Sequence, residues 1–399
     1  MRTTRALGLC AVLSLIGIGL AGYLTFLHLG LMRGELLGGA ACSGSGAFNC
    51  HAVTGGRWGA FLGVPLSLWG ILGYLTVLAL ALWGQQSAES ATQAAGLLTL
   101  LASLFVAADV FLFGVQAVVI RRYCFFCLLT YAVNLLLLFS AWRGLGGPWT
   151  AALPQAVRAL GALVPSGQRP AAWLFWGVMG TGALGVAGVH AATVFISRGT
   201  LGGVQSQIRD YIVKQPRITV NTEGDPTLGP PDAPLQLIEF SDFFCPACQR
   251  ASKINAVILA NHRQDVRFTF KNYPLDTACN DKIPRPVHPG ACQVAAAGEC
   301  AYKLGHFWEF HDLVFEKGGA YNLEHLERDA VRVGVDATQF ETCLQSGEGL
   351  EAVKRDIAEA GRLGVPSTPT YVINGVPMAG MLNPATFDDV AAVLQEARR

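Results

Sequence analysis

Five stretches of this chain, at 7–29, 61–83, 94–120, 124–142 and 173–196, are long and apolar enough to cross a lipid bilayer, which takes about 20 residues. Backbone groups in hydrocarbon have no water to bind, so such stretches are helices. Charge divides the chain in the same place. Residues 1–200 carry ten Arg, no Lys and three acids, whereas residues 201–399 carry 19 basic and 25 acidic side chains. The first half is too apolar to be solvated, and the second has the charge content of an ordinary soluble domain. Sparse positive charge ahead of an acidic half excludes a nucleic-acid binder. An apolar content of 52% excludes disorder. The first stretch exceeds a signal-peptide core and lacks a close small-x-small cleavage site, so it reads as an anchor.

Five spans put the termini on opposite sides. With the N-terminus inside, five Arg fall in inner segments and four in outer ones, a narrow positive-inside bias. In that orientation Cys42, Cys50, Cys124, Cys127 and every later cysteine face or border the outer compartment, where disulfides persist. The expected location is the inner cell membrane, multi-pass, with the C-terminal domain in the periplasm or another extracytoplasmic space. The expected organisation is a membrane domain at 1–145, a cytoplasmic loop and fifth span at 146–200, an extracytoplasmic linker at 201–233 and an α/β domain at 234–399. A connector at 197–234 would hold a short amphipathic helix at 204–213 and a turn-rich boundary at 225–234, which carries four Pro. Strands are expected at 235–240, 266–270, 371–373 and 376–379. Helices are expected at 246–260 and 384–397, with a mostly helical stretch over 291–361.

Phe244-Cys245-Pro246-Ala247-Cys248 sits where a strand gives way to a helix. A thiol at a helix start meets unpaired N–H groups and the positive end of the dipole, which favour thiolate. Cys245 is therefore expected to be the exposed attacking sulfur with a lowered pKa, and Cys248, one turn on, the buried resolving thiol. Redox chemistry outweighs a structural disulfide or half a zinc site, because no second Cys-x-x-Cys stands in the soluble half. Glu239, on the preceding strand, could lie beneath Cys248 and take its proton. Its alternative is a surface strand acid. Pro369, after Thr368, is expected in cis beside the dithiol, leaving backbone free to pair with a peptide. The alternative is an ordinary trans turn proline.

The run from Phe240 to Cys248, the helical insertion and Ser367-Thr368-Pro369-Thr370 resemble a DsbA-like thioredoxin-fold oxidase over about residues 220–399. That resemblance implies an α/β fold with a helical domain inserted between strands, Cys245 as nucleophile, Glu239 as buried acid and Pro369 in cis. Cys279, Cys292, Cys300 and Cys343 are additional; they allow three pairings, and two structural disulfides are expected.

In the membrane half, Cys124-Phe125-Phe126-Cys127 opens an apolar span, with both thiols on one helical face. Hydrocarbon around a dithiol excludes water and admits a lipophilic oxidant. Cys42 and Cys50 lie in the outer loop. Cys42, Phe48-Asn49-Cys50, Arg57-Trp58-Gly59, Gly63-Val64-Pro65-Leu66-Ser67 and the run from Cys124 to Asn134 resemble the vitamin K epoxide reductase family over about residues 1–142. Bacterial members are often fused to a thioredoxin-like domain. The resemblance implies a four-helix bundle holding a quinone of ubiquinone or menaquinone type, with Cys127 nearest it and Cys124 exchanging with Cys50. It also implies a hydrogen bond from Tyr131 to a quinone carbonyl. Tyr131, Asn134 and Asp109 form the expected cofactor-binding set. Asp109, an acid inside a span, is either a proton relay or a neutral acid bonded to a neighbouring helix. Gly55-Gly56 replaces the Ser pair common in the family. The whole chain is thus expected to be a membrane helical bundle, a four-helix core plus a fifth linking span, followed by a thioredoxin-like α/β domain. It would oxidise reduced extracytoplasmic client proteins and pass the electrons through cysteine pairs to a quinone held in lipid. The alternatives are a reductase or isomerase running electrons outward, and a non-enzymatic metal- or substrate-binding membrane protein.

Overall fold

The computed structural model describes residues 2–32, 36–39, 42, 47–164, 170–318 and 321–396. Its contacts divide the chain into two units, Met1–Leu201 and Gly202–Arg399.

The first unit contains α1 (Arg2–Met32), the short α2 (Cys50–Thr54), α3 (Leu66–Trp83), α4 (Ala88–Gly114) and α5 (Phe125–Leu145). A π-helical turn, Val115–Ile120, extends α4. Among the described residues, four helices are long and apolar enough to cross a membrane: α1, α3, α4 with its extension, and α5. The chain is a multi-pass membrane protein. The helices meet through Leu7, Leu13, Val77, Leu80, Leu98 and Leu137. Lipid is as apolar as leucine, so close packing has to hold such a bundle together. Gly17 provides it: a Cβ there would lie 2.4 Å from the Tyr74 ring. Leu9, Leu15, Leu104, Phe111, Leu136 and Phe139 are exposed on the outer faces, where lipid would lie.

The second span starts later than its hydropathy suggests. Residues 60–65 form a hairpin of β1 (Ala60–Phe61) and β2 (Val64–Pro65), turned by Leu62 and Gly63 at positive φ. After α6 (Ala152–Ala162) comes α7 (Pro170–Lys214), 45 residues long. The stretch expected as a fifth span lies inside α7. The helix also runs into the expected connector as far as Lys214, absorbing the separate helix at 204–213. Pro216 is the first residue after Pro170 that cannot continue a helix, and α7 stops two residues before it.

The second unit is a five-stranded sheet in the order β3-β5-β4-β6-β7. Its strands are β3 (Thr227–Leu228), β4 (Leu235–Ser241), β5 (Val266–Asn272), β6 (Thr370–Ile373) and β7 (Val376–Ala379). Only β4 and β5 pair in parallel, joined by α8 (Pro246–Asn261). Between β5 and β6 lie α9 (Ala291–Lys303), α10 (Phe307–Lys317), α11 (Leu326–Arg332), α12 (Ala337–Ser346) and α13 (Glu348–Leu363), and α14 (Pro384–Glu396) closes the chain. This is a thioredoxin-like α/β fold with a helical insertion. Disulfides Cys279–Cys292 and Cys300–Cys343 tie the insertion, so one of the three possible pairings is selected. The strand β3 falls inside the run read as turns, since two residues carry no periodicity. Nearby, buried Lys271 meets Asp225, Asp356 and Glu359 at 2.6, 2.9 and 3.0 Å, the pairing that a buried charge requires.

Candidate functional site

The end of β4 and the start of α8 build the soluble dithiol. Cys245 caps α8, with Pro246 in its first turn, a position where proline's missing N–H costs nothing. Asp242 shapes the approach: its Oδ1 accepts the Phe244 N–H at 2.7 Å, and its carbonyl accepts the Cys245 N–H at 3.1 Å. Cys248 is fully buried, as expected, but Cys245, expected to be exposed, is also buried, at 7% exposure, because it packs in the core with Phe243 and Phe270. The hydrogen bond from the Cys248 thiol draws the Cys245 thiol down to about 5, against burial, with help from Thr368 and the N–H groups of Cys248 and Ala247. Burial pushes the Cys248 thiol far up, and its hydrogen bond to Cys245 and the charge of Glu239 add to this. The arrangement favours the thiolate at Cys245 and the protonated thiol at Cys248.

Glu239 lies inside the domain rather than on its surface, at 1% exposure. Its Oε1 accepts from Ser241 Oγ at 2.9 Å and its Oε2 from Asn255 Nδ2 at 2.6 Å, and Tyr371 OH donates to Asn255 Oδ1 at 3.0 Å. Burial raises the Glu239 carboxyl to about 8 despite the bonds from Ser241 and Asn255, so at neutral pH it is largely protonated. The Thr368–Pro369 peptide bond is cis, and Cys245 Sγ lies 3.6 Å from the Thr368 carbonyl oxygen.

In the first unit, Cys124 caps α5 and is disulfide-bonded to Cys127. The outer loop is stitched to that helix start. Tyr123 N–H donates to the Ala47 carbonyl at 2.8 Å, and Asn49 N–H donates to the Tyr123 carbonyl at 2.9 Å. Asn49 also caps α2, which begins at Cys50. The His51 ring nitrogen Nε2 holds the Leu37 carbonyl at 2.7 Å. As a result Cys42, Cys50 and Cys124 share one buried cluster with Leu24 and Leu27, and Cys127 packs against it. The Cys42 and Cys50 thiols hydrogen-bond to one another.

Cys127 also lines a cavity of about 270 Å³, near the lower end of the usual range of roughly 300–1,000 Å³ for ligand pockets. Its walls are largely apolar, and Tyr131, Asn134 and Asp109 line it with Cys127. Tyr74 OH donates to Asn134 Oδ1 at 2.8 Å, and Asn134 Nδ2 donates to Asp109 Oδ2 at 2.9 Å. Asp109 is thus both bonded to a neighbouring helix and set on the cavity wall. Asn134 is engaged at both ends of its amide. Gln116 Nε2 donates to Tyr131 OH at 2.8 Å, which leaves the phenol proton to point at an acceptor in the cavity. A lipophilic ring bearing carbonyl oxygens fits this lining.

Residues 9–142 match the vitamin K epoxide reductase family, and residues 221–395 match a thioredoxin family. The chain joins a vitamin K epoxide reductase family domain to a thioredoxin family domain. Among curated proteins, it is 33% identical over 180 residues to the Na(+)/H(+) antiporter NhaA of Herminiimonas arsenicoxydans, covering 45% of this chain and 27% of that protein. It is 32% identical over 158 residues to the Na(+)/H(+) antiporter NhaA 1 of Mycolicibacterium gilvum, covering 39% and 24%. The chain spans about a quarter of the length of these relatives. Among solved structures, a thioredoxin-like oxidoreductase from Silicibacter pomeroyi matches 44% of this chain and 93% of its own, at 24% identity and a TM-score of 0.38. Oxidised BdbD from Bacillus subtilis matches 45% and 97%, also at 24% identity and a TM-score of 0.38.

In the vitamin K epoxide reductase domain, Gln116 is the residue that sequence reasoning passed over. It is 1% exposed, and while Nε2 serves Tyr131, its Oε1 accepts the Cys124 N–H at 2.8 Å. One side chain therefore links the disulfide's backbone to the cavity phenol. It sits in the π-helical turn, a distortion that often marks function. An uncharged polar residue in an apolar span was the available signal. Among the described residues, no three His, Cys, Asp or Glu side chains gather as metal ligands.

The buried carboxyl of the thioredoxin domain gives a testable pH effect. The folded pKa of Glu239 lies above its ordinary 4.5, at about 8. Between those values the unfolded chain has released the proton and the folded chain keeps it, so this group makes stability fall as pH rises through that window. Glu239→Gln should remove that slope: thermal unfolding at pH 5 and pH 8 should show the variant gaining on the parent at the higher pH. The same variant should reoxidise its Cys245–Cys248 pair on the order of a hundredfold more slowly, the size of a lost general base. Stopped-flow tryptophan fluorescence would measure it.

Proposed function

We propose that this chain is a membrane thiol-disulfide oxidoreductase that forms disulfides in extracytoplasmic proteins and passes the electrons to a quinone. The observation that carries this reading is the position of Cys127. Its partner Cys124 shares a buried core with Cys42 and Cys50, while Cys127 itself lines a largely apolar cavity with Tyr131 and Asp109. One disulfide thus stands between a second thiol pair and a lipophilic site.

In the proposed sequence, two client thiols become a disulfide as the Cys245–Cys248 disulfide takes their two electrons. Cys245 is left as thiolate, Cys248 keeps one proton, and one proton is released. Thiolate stabilisation at Cys245 favours the reduced pair, which makes its disulfide an oxidant. The Cys245 thiolate then attacks the Cys42–Cys50 disulfide, Cys50 leaves as thiolate, and Cys248 gives its proton to the ionised fraction of Glu239 and attacks Cys245, freeing Cys42. Cys42 and Cys50 are fully buried, so this exchange requires the loop that carries them to open. The reduced loop pair next attacks at Cys124, freeing Cys127 at the cavity. A quinone bound there would be the two-electron, two-proton acceptor, with Tyr131 presenting its hydroxyl proton and Asp109 a protonatable oxygen. Fusion makes each encounter intramolecular, at an effective concentration around millimolar for a suitable linker. The orientation that suits this chemistry places the thioredoxin domain in the periplasm or its equivalent, where reduced client proteins are met.

Anaerobic mixing of the fully reduced protein with a quinone tests the proposal. Quinol should form as the thiols disappear, two thiols per quinol. Persistence of both the quinone and the thiols would overturn it.

A further inference from the structure

The Pro246-Ala247 pair within the dithiol motif carries no cation, yet an imidazole held by a buried carboxylate lies within electrostatic reach of Cys245. His288 lies in the segment that joins β5 to α9, far from Cys245 in sequence. Its ring Nδ1 is 2.8 Å from Asp242 Oδ2. The same Oδ2 accepts the Leu275 N–H at 2.8 Å, and Oδ1 of the same carboxylate accepts the Phe244 N–H. One fully buried carboxylate therefore clamps the His288 ring on one side and the backbone immediately before Cys245 on the other. The His288 segment is fixed independently: its N–H donates to the Leu275 carbonyl at 2.9 Å, and its carbonyl accepts the Ala291 N–H at 3.1 Å. Two residues on, a Cβ at Gly290 would lie 3.3 Å from the Phe244 ring, so the segment packs against the residue preceding the nucleophile. The side chain retains 17% exposure.

We infer that His288, held by Asp242, is a positioning residue that supplies the positive charge opposite the Cys245 thiolate. The inference rests on Cys245 being the attacking sulfur. During client oxidation, the bond between Cys245 and the client sulfur breaks as the client disulfide forms, and the electron pair leaves on Cys245 Sγ. An imidazolium nearby lowers the cost of that leaving group and equally favours the thiolate at rest. The hydrogen bond to Asp242 raises the His288 pKa above its ordinary value, and the Cys245 charge raises it further, while burial works against both. The titratable groups acting on the ring are thus Asp242, the residue after β4, and Cys245 at the start of α8. In the ring's own segment, Asp276 is occupied by the N–H groups of Ala278 and Gly290. Glu239 and Cys248 also act on Cys245.

The test is the pH dependence of Cys245 alkylation by iodoacetamide in the full-length reduced protein, read by mass spectrometry of the Cys245 peptide. The parent profile should show two inflections, one for thiolate formation and a higher one where His288 loses its proton and the thiolate becomes more nucleophilic. In His288→Gln the upper inflection should vanish. The lower one should move up by about one unit, making alkylation on the acid side roughly tenfold slower. An unchanged profile in His288→Gln overturns the inference, as does a slower rate without any movement of the inflections, which would mark a packing role. Failure of the underlying reading looks different: in the parent itself, Cys248 would be alkylated as fast as Cys245.

Discussion

Cys127→Ser should abolish quinol formation while leaving one turnover of the thioredoxin domain intact. The sulfur of Cys127 lines the cavity, and a hydroxyl in its place can neither form nor break a disulfide. Steady-state oxidation of a reduced peptide with quinone as acceptor should fall by at least about a thousandfold, the scale of losing an essential nucleophile. The Cys245–Cys248 disulfide, in a separate unit, should still oxidise close to one equivalent of peptide in a burst. Rapid-quench thiol counting separates the two phases. Normal steady-state turnover in this variant would remove Cys127 from the pathway.

The second large effect is expected at the loop pair. Cys248→Ala should accumulate a mixed disulfide between Cys245 and Cys42, because Cys245 displaces Cys50 from Cys42 and the thiol that would resolve the link is gone. Cys42 and Cys50 lie outside the membrane-length helices, whereas Cys124–Cys127 heads one of them, so the loop pair is the one that a movement of its loop would bring to a soluble thiolate. Turnover should fall about as far as in the Cys127 variant, for a different reason: the protein stops with its carrier covalently attached. Mass spectrometry of cysteine-linked peptides from the variant held with quinone, which keeps the loop pair oxidised, would show the Cys42–Cys245 link. A Cys245–Cys124 link in the unsubstituted protein during turnover would mean that the loop pair is bypassed.

These expectations draw unevenly on sequence and structure. The redox pairs were legible in the sequence because their chemistry is local: Cys245 and Cys248 are one helical turn apart at a helix start, and so are Cys124 and Cys127. Membrane spans were legible because hydrocarbon imposes one composition on about 20 consecutive residues. Their ends were less so, since hydropathy does not register the hairpin at 60–65 or a helix that continues from Pro170 to Lys214 until Pro216 approaches. The strand β3 was missed because its stability comes from Phe268 and Thr269 across the sheet, not from its own two residues.

The sequence by itself determined which residues can do redox chemistry and which half of the chain lies in lipid. Both follow from side-chain type and short-range spacing. Only the tertiary structure decided what surrounds those residues. It chose Cys279–Cys292 and Cys300–Cys343 among three pairings and buried Glu239 against Asn255 and Ser241. It also placed Gln116 between a disulfide and a phenol and brought His288 to Asp242 across 46 residues. A hydrogen bond or a burial is fixed by where two distant segments meet, and a pKa follows from that meeting rather than from either segment alone.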